Sequence, residues 1–119
     1  MMDSSEWLNM INTHVQWKQR LHAYIMGTST EIFNVATVAS DNKCILGTWI
    51  YNNAQKFKQT EIFENVRLGH AEIHFKASEI ILLTDQKKVN EAEQLLEGEF
   101  AEISNQFKRD LIRLSRTVN

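Results

Sequence analysis

Apolar residues recur at alternating steps of three and four along most of this chain. The first such stretch follows Ser4 and Ser5, either of which can cap a helix, and it ends at Gly27, a residue suited to close one. Because this spacing places side chains on one face of an α-helix, it predicts a bundle helix whose seam is Trp7, Met10, His14, Trp17, Leu21 and Tyr24. His14 is therefore predicted to face the interior.

The same pattern predicts two more long helices, the third and fourth of the chain. The third covers about residues 61–83, and its seam is Phe63, Val66, His70, Ile73, Ala77 and Ile80. The fourth covers about residues 89–116, and its apolar line is Leu96, Phe100, Ile103, Phe107, Leu111 and Leu114. The fourth line carries no residue that suits a metal ion.

The region between the first and third helices is less regular. Ser40 or Asp41 can cap a short second helix over residues 44–51, with Cys44 in its first turn, and a polar segment at 52–60 leads to the third. The β-branched run at 31–38 could form a strand, but a lone strand has no partner, so residues 28–40 are predicted to be a short helix or an ordered crossover loop. The predicted fold is all-α, an antiparallel four-helix bundle with an additional short helix or ordered crossover segment.

Composition constrains the number of domains, the binding partners and the cellular location. The chain has 119 residues, four glycines and no proline, which favours one helical domain over residues 1–119. Its net charge of -2 argues against a basic surface for nucleic acid or an anionic membrane. With one cysteine and no segment that resembles a signal peptide or a membrane span, the sequence predicts a cytoplasmic protein without membrane insertion.

His70 and His74 stand four residues apart in the third helix, so both imidazoles lie on one face and could hold a metal ion. Structural zinc takes four Cys or His ligands, and Cys44 and His14 could supply the other two. Each of these residues alone also fits an ordinary core or surface position. His22 is predicted to lie partly exposed, as a reserve ligand should His14 fail.

Three ordered motifs resemble those of the chemoreceptor zinc-binding domain: H-x-x-W-K from His14, C-x-L-G-x-W from Cys44 and H-x-x-x-H from His70. The resemblance covers roughly residues 10–80. The chain differs at Gly69, where many relatives have proline. The resemblance implies a four-helix bundle that binds one zinc ion. The ligands that it implies in this chain are His14, Cys44, His70 and His74.

The resemblance also implies a function in bacterial signalling. It implies a sensor of zinc, or of oxidants such as hypochlorous acid through the metal-bound cysteine, which works with a chemoreceptor signalling domain or a diguanylate cyclase in the same chain or a separate one. It further implies a homodimer. Trp7, Ile112 and Val118, expected to be exposed near the chain ends, are compatible with an interface.

Two other classes remain open at the level of sequence. One is a metal-free helical interaction or dimerisation module of a signalling protein. The other is a hemerythrin-like iron protein, although such a centre needs more His and carboxylate ligands than these seams provide. The chain has no nucleotide-binding glycine loop, no nucleophile with a convincing base and no paired catalytic carboxylates, so we expect that it is not an enzyme.

Overall fold

The computed structural model describes residues 4–40, 44–57 and 60–118, and all regular structure in these ranges is helical. The helices are α1 (Ser4–Val15), α2 (Trp17–Met26), α3 (Val35–Ala39), α4 (Ile45–Phe57), α5 (Glu61–Asp85), α6 (Val89–Leu95) and α7 (Ala101–Val118). A π-helical turn, Leu96–Phe100, joins α6 to α7. The prediction of an all-α chain is confirmed, and the β-branched run forms no strand.

Helices α1 and α2 follow each other directly and form the first predicted seam. Helical hydrogen bonds continue on both sides of Gln16, the single residue between them, so the break is slight. Gly27 ends α2 with φ 75°, a left-handed conformation that glycine adopts without steric cost. The N–H groups of Gly27 and Thr28 then donate to the carbonyls of Tyr24 and Ala23, as in a Schellman motif. The predicted end of this helix is confirmed.

The region around α3 and α4 differs in detail from the prediction. The Asn34 side chain caps α3 by accepting the Thr37 N–H at 3.0 Å, whereas Ser40 ends α3 instead of starting α4. Asp41, the other predicted cap, lies outside the described residues. Helix α4 begins at Ile45, so Cys44 precedes the first turn, and it continues through Phe57 where a polar link was predicted. The extra turns bury apolar surface, since Trp49 and Phe57 stack 6.0 Å apart.

Helix α5 lies at the centre and packs against α2, α3, α4, α6 and α7. Every residue of its predicted seam is buried. Gly69 allows α7 to approach closely, because a Cβ atom at this position would lie 3.3 Å from Cδ1 of Phe107. The π-helical turn was not predicted. Leu96 and Phe100, at the two ends of this turn, are both fully buried. The apolar line predicted for one long helix therefore continues across the turn, although the helix itself is interrupted.

The expectation that Trp7 is exposed is wrong. Its side chain is 2% exposed and meets Trp49 of α4 edge-on, with ring centroids 5.1 Å apart, because it belongs to the seam of α1. Ile112 is half-buried, and the side chain of Val118 lies outside the described part of the chain. None of the described helices combines the length and apolar character needed to cross a lipid bilayer.

Candidate metal centre

Four side chains from three parts of the fold converge on one point. His14 comes from the end of α1, Cys44 from the residue before α4, and His70 and His74 from successive turns of α5. One ligand-type atom from each lies within 4.8 Å of the corresponding atom of every other. The structure thus brings together all four residues singled out in the sequence. His22 is exposed and takes no part in this cluster.

The distances within the cluster suit a single metal ion. Cys44 Sγ lies 3.2 Å from His70 Nε2, 3.7 Å from His74 Nε2 and 4.0 Å from His14 Nε2. The Nε2 atoms of His70 and His74 are 3.1 Å apart. A tetrahedral zinc ion with ordinary bond lengths requires N···N separations of about 3.4 Å and N···S separations of about 3.6 Å. The separations in the cluster lie on both sides of these ideal values.

Two backbone carbonyls fix the orientation of the imidazoles. Nδ1 of His14 lies 2.9 Å from the Met10 carbonyl, and Nδ1 of His74 lies 2.9 Å from the Val38 carbonyl. A carbonyl oxygen can only accept, so each Nδ1 carries the proton and each Nε2 directs its lone pair into the cluster. Most metal-binding histidines donate a hydrogen bond of this kind from the ring nitrogen that does not bind the metal. The donor set therefore fits a cation.

Burial favours the neutral form of His14 and His70, which is the form that metal binding requires. His14, His70 and His74 are 5%, 1% and 5% exposed. Burial, together with the nearby His74 and His14, lowers the pKa of His70 to about 2. Burial also lowers the pKa of His14, although the hydrogen bond to the Met10 carbonyl acts in the opposite direction. Neutral imidazoles are thus available at ordinary pH.

Cys44 serves the backbone as well as the cluster. Its carbonyl accepts the N–H of Thr48 at 2.9 Å, and its Sγ accepts the N–H of Gly47 at 3.3 Å. These are the two bonds made by a residue that caps the N-terminus of a helix. The same sulfur that faces the three histidines therefore holds the first turn of α4, where N–H groups and the helix dipole favour a thiolate.

The side of the site next to α3 is aromatic and partly open. The ring centroids of Trp17 and His74 lie 6.3 Å apart. The guanidinium carbon of Arg20 lies over the Trp17 ring, 4.4 Å from its centroid. Arg20 Nε also donates to both carboxylate oxygens of Glu31 at 3.1 Å. A pocket of about 350 Å³ lies here and reaches Cys44 and His74. Cys44 is half-buried, so it is the most accessible of the four residues.

Sequence reasoning missed the two carbonyl partners. Met10 O and Val38 O are backbone atoms, and no side-chain pattern marks them. The Met10 contact follows from helical geometry, since residue 10 precedes His14 by one turn. The Val38 contact joins α3 to α5 across 36 residues of sequence and could not be foreseen without the fold.

A comparison with protein families bears on this geometry. The family model of the chemoreceptor zinc-binding domain matches residues 14–81, which include all four residues of the cluster. No curated protein and no solved structure matches the chain.

Proposed function

The chain belongs to the chemoreceptor zinc-binding domain family, and from that premise we propose that it is a zinc-binding sensory domain of bacterial signalling. In this proposal His14, Cys44, His70 and His74 hold one Zn²⁺ ion. The observation that carries it is the convergence of one thiol and three imidazoles, from three separate regions of the fold, at mutual distances compatible with a tetrahedral ion.

The donor set favours zinc over other metals and a structural ion over a catalytic one. A thiolate with three imidazoles is a typical zinc shell, whereas Mg²⁺ and Ca²⁺ prefer oxygen ligands. Four protein ligands leave no position for a reactive water, so the proposal includes no enzymatic activity. When bound, the ion would link α1, α4 and α5 and keep the sulfur deprotonated.

We further propose that Cys44 is the residue that senses oxidants. A thiolate reacts with hypochlorous acid in a two-electron step: a sulfur–oxygen bond forms, chloride leaves, and the product is a sulfenic acid. Cys44 is the most accessible of the four residues and lies beside the aromatic pocket. Its oxidation would weaken the metal site and the cap of α4 together, because both depend on Sγ.

The output of this sensor would lie in another protein module. We propose that a chemoreceptor signalling domain or a diguanylate cyclase, in the same chain or a separate one, is the partner that reads the change. We also propose that the chain forms a homodimer in the cytoplasm. The switching element would be α4, because the start of this helix is attached to the site through a single side chain.

Metal content tests the proposal directly. Protein purified without an affinity tag or added metal should contain about one zinc per chain by mass spectrometry, and His70→Ala should lose most of it. His22→Ala is the matched control, because His22 is exposed and is not one of the four residues of the cluster. Absence of zinc from folded wild-type protein would contradict the proposal and leave a metal-free helical module.

The role of Cys44 needs a separate experiment. Treatment with one equivalent of hypochlorous acid should release zinc, and mass spectrometry should locate the added oxygen on Cys44. Cys44→Ser keeps an oxygen that can cap α4 but cannot be oxidised, so it should lose the response to the oxidant. If zinc release were the same in wild type and Cys44→Ser, Cys44 would not be the sensing residue.

A further inference from the structure

A groove of about 370 Å³ lies between α5 and α7. Its walls are partly apolar, with Leu68 and Gly69 contributed by α5 and Ile103 and Phe107 by α7. A volume of this size falls within the range of about 300–1,000 Å³ that is usual for ligand pockets. The groove therefore has room for a ligand or for a side chain of another protein.

Asp110 places a buried carboxylate at this groove. It is 7% exposed, and it lines the groove together with Glu72. One of its oxygens accepts a hydrogen bond from Nε2 of Gln106, one turn earlier in α7, at 3.1 Å. In the part of the chain that the structure describes, no basic side chain forms an ion pair with Asp110. Since buried carboxylates are normally paired with a cation, Asp110 lacks the partner that its burial requires.

The groove has no positive charge of its own to supply that partner. Arg109 follows the same helix, but its guanidinium donates to Oε1 of Gln106 at 2.7 Å and not to Asp110. The described residues that line the groove include Glu72 and Asp110 and no lysine, arginine or histidine. The groove is thus an acidic, partly apolar surface that complements a cation from outside the chain.

The chemistry of the groove favours an organic cation over a metal ion. Ca²⁺ and Mg²⁺ take about six or more oxygen ligands. Within the described residues, the candidate metal centre is the only place where three or more His, Cys, Asp or Glu side chains come close enough to share an ion. A guanidinium, by contrast, binds one carboxylate through two parallel N–H bonds, and its hydrocarbon stem packs on apolar walls. An arginine side chain therefore matches Asp110 between Leu68 and Ile103.

Phe107 connects the groove with the candidate metal centre. Its ring lines the groove, and the ring centroid lies 5.6 Å from that of His14 and 5.8 Å from that of His70. A movement of either imidazole on loss of zinc would therefore act on one wall of the groove. A partner bound there could detect the state of the metal site without contacting it.

We propose that the groove between α5 and α7 is the docking site of the output partner, a protein that inserts an arginine side chain against Asp110 and Glu72. This inference rests on the proposed function for the existence of a partner, and it adds the surface and the chemistry that recognise it. Asp110 and Glu72 are not among the four proposed zinc ligands. Docking and zinc binding can therefore fail independently.

Titration of the ¹⁵N-labelled chain with N-acetyl-arginine amide tests the docking site, because this probe presents the side chain as a protein does. The backbone signals of Gly69 and Ile103 should shift and saturate. N-acetyl-citrulline amide has nearly the same shape and no charge, so it should bind more weakly by about tenfold or more. Asp110→Asn, which keeps an oxygen for Gln106, should weaken binding of the arginine probe by about tenfold or more. Glu102→Gln, at an exposed acid of α7 outside the groove, is the matched control and should bind as wild type does.

The other results would each overturn the proposal. Absence of a saturable shift, equal binding of the two probes, or equal binding by wild type and Asp110→Asn would exclude an arginine site. Tighter binding of free L-arginine than of the capped probe would assign the groove to a metabolite instead of a protein. Thermal unfolding adds a second readout: a carboxylate held for a partner should leave Asp110→Asn as stable as wild type or more stable, whereas one that serves the fold should leave it less stable.

Titrations with zinc and with excess chelator test the connection through Phe107. The affinity for the arginine probe should differ between the two conditions, and the probe should then change the affinity for zinc by the same factor. Identical affinities would exclude Phe107 as the connection between the two sites. If the protein holds no zinc, the proposed function fails, while the comparison of wild type with Asp110→Asn still decides the docking site.

Discussion

At the scale of single residues, Cys44 combines two roles that are usually separate. Its sulfur faces three imidazoles and also accepts the N–H of Gly47 at the start of α4. A chemical change at this atom therefore alters a ligand and a helix cap simultaneously. This connection gives a local event at the sulfur a direct effect on the backbone.

Substitutions at Cys44 can separate the two roles. In excess chelator, Cys44→Ala should unfold at lower urea concentration than Cys44→Ser, with a difference of about 1 kcal/mol, because serine caps a helix and alanine does not. Circular dichroism during urea titration measures this difference. Equal stabilities would mean that the bond from Gly47 contributes nothing to the start of α4.

The ion pair between Arg20 and Glu31 gives a prediction about pH. The hydrogen bond from Arg20 holds the pKa of Glu31 below its usual value. A carboxyl group with a lowered pKa stabilises the fold above its unfolded pKa, and this contribution is lost as the pH falls through the folded value. Arg20→Ala should therefore raise the pKa of Glu31 in an NMR titration.

Glu64 is the internal reference for that titration. The pKa of Glu64 is also lowered by an arginine, Arg67, which lies three residues further along α5. It should titrate identically in wild type and Arg20→Ala. A shift of both carboxyl groups would indicate a general change in the fold instead of the loss of one ion pair.

Much of the candidate site was visible in the sequence because the proposed ligands are side chains with characteristic spacing. His70 and His74 follow from helical periodicity, and His14 from its place in an apolar seam. The role of Cys44 as a cap was not visible. It depends on where α4 begins, and helix boundaries are set by tertiary packing as much as by local residues.

At the scale of elements, the long seams were predicted and the interruptions were not. The π-helical turn and the break at Gln16 leave the apolar lines buried, so the pattern of hydrophobic residues contains no sign of them. The extension of α4 to Phe57 arises from contacts of Trp49 and Phe57 with Phe63 of α5. Such contacts are long-range or lie between helices, beyond the reach of local propensity.

Two glycines should respond in opposite directions to alanine. Gly27→Ala should destabilise the fold by about 1 kcal/mol, because φ there is 75°. Gly98→Ala should stabilise it by up to about 1 kcal/mol, since the backbone is helical and an added Cβ meets nothing within 4 Å. Thermal unfolding compares the two. A loss of stability in Gly98→Ala would show that the π-helical turn requires glycine.

At the scale of the whole molecule, the proposed metal site joins regions that are far apart in sequence. Residues 14, 44 and 70 are separated by 30 and 26 positions, and each belongs to a different part of the fold. A bound ion would therefore restrain α1, α4 and α5 together, so its free energy of binding adds to that of folding.

Removal of zinc should lower the stability of the entire fold. Dialysis against a chelator should lower the melting temperature of wild-type protein by several degrees, and one equivalent of zinc should restore it. Calorimetry of wild type and His70→Ala measures this effect. The variant should melt at the same temperature with and without chelator, and a chelator effect of equal size in both would place the zinc elsewhere.

The position of Trp17 has an optical consequence. Its indole ring lies 6.3 Å from His74 and beneath the guanidinium of Arg20, on the side of the cluster that faces the pocket. Indole fluorescence is sensitive to nearby charge, and zinc bound by His74 would place a divalent cation on the imidazole that neighbours this ring. The protein would thus contain its own fluorescent reporter, and metal exchange or oxidation could be followed in real time without an added dye.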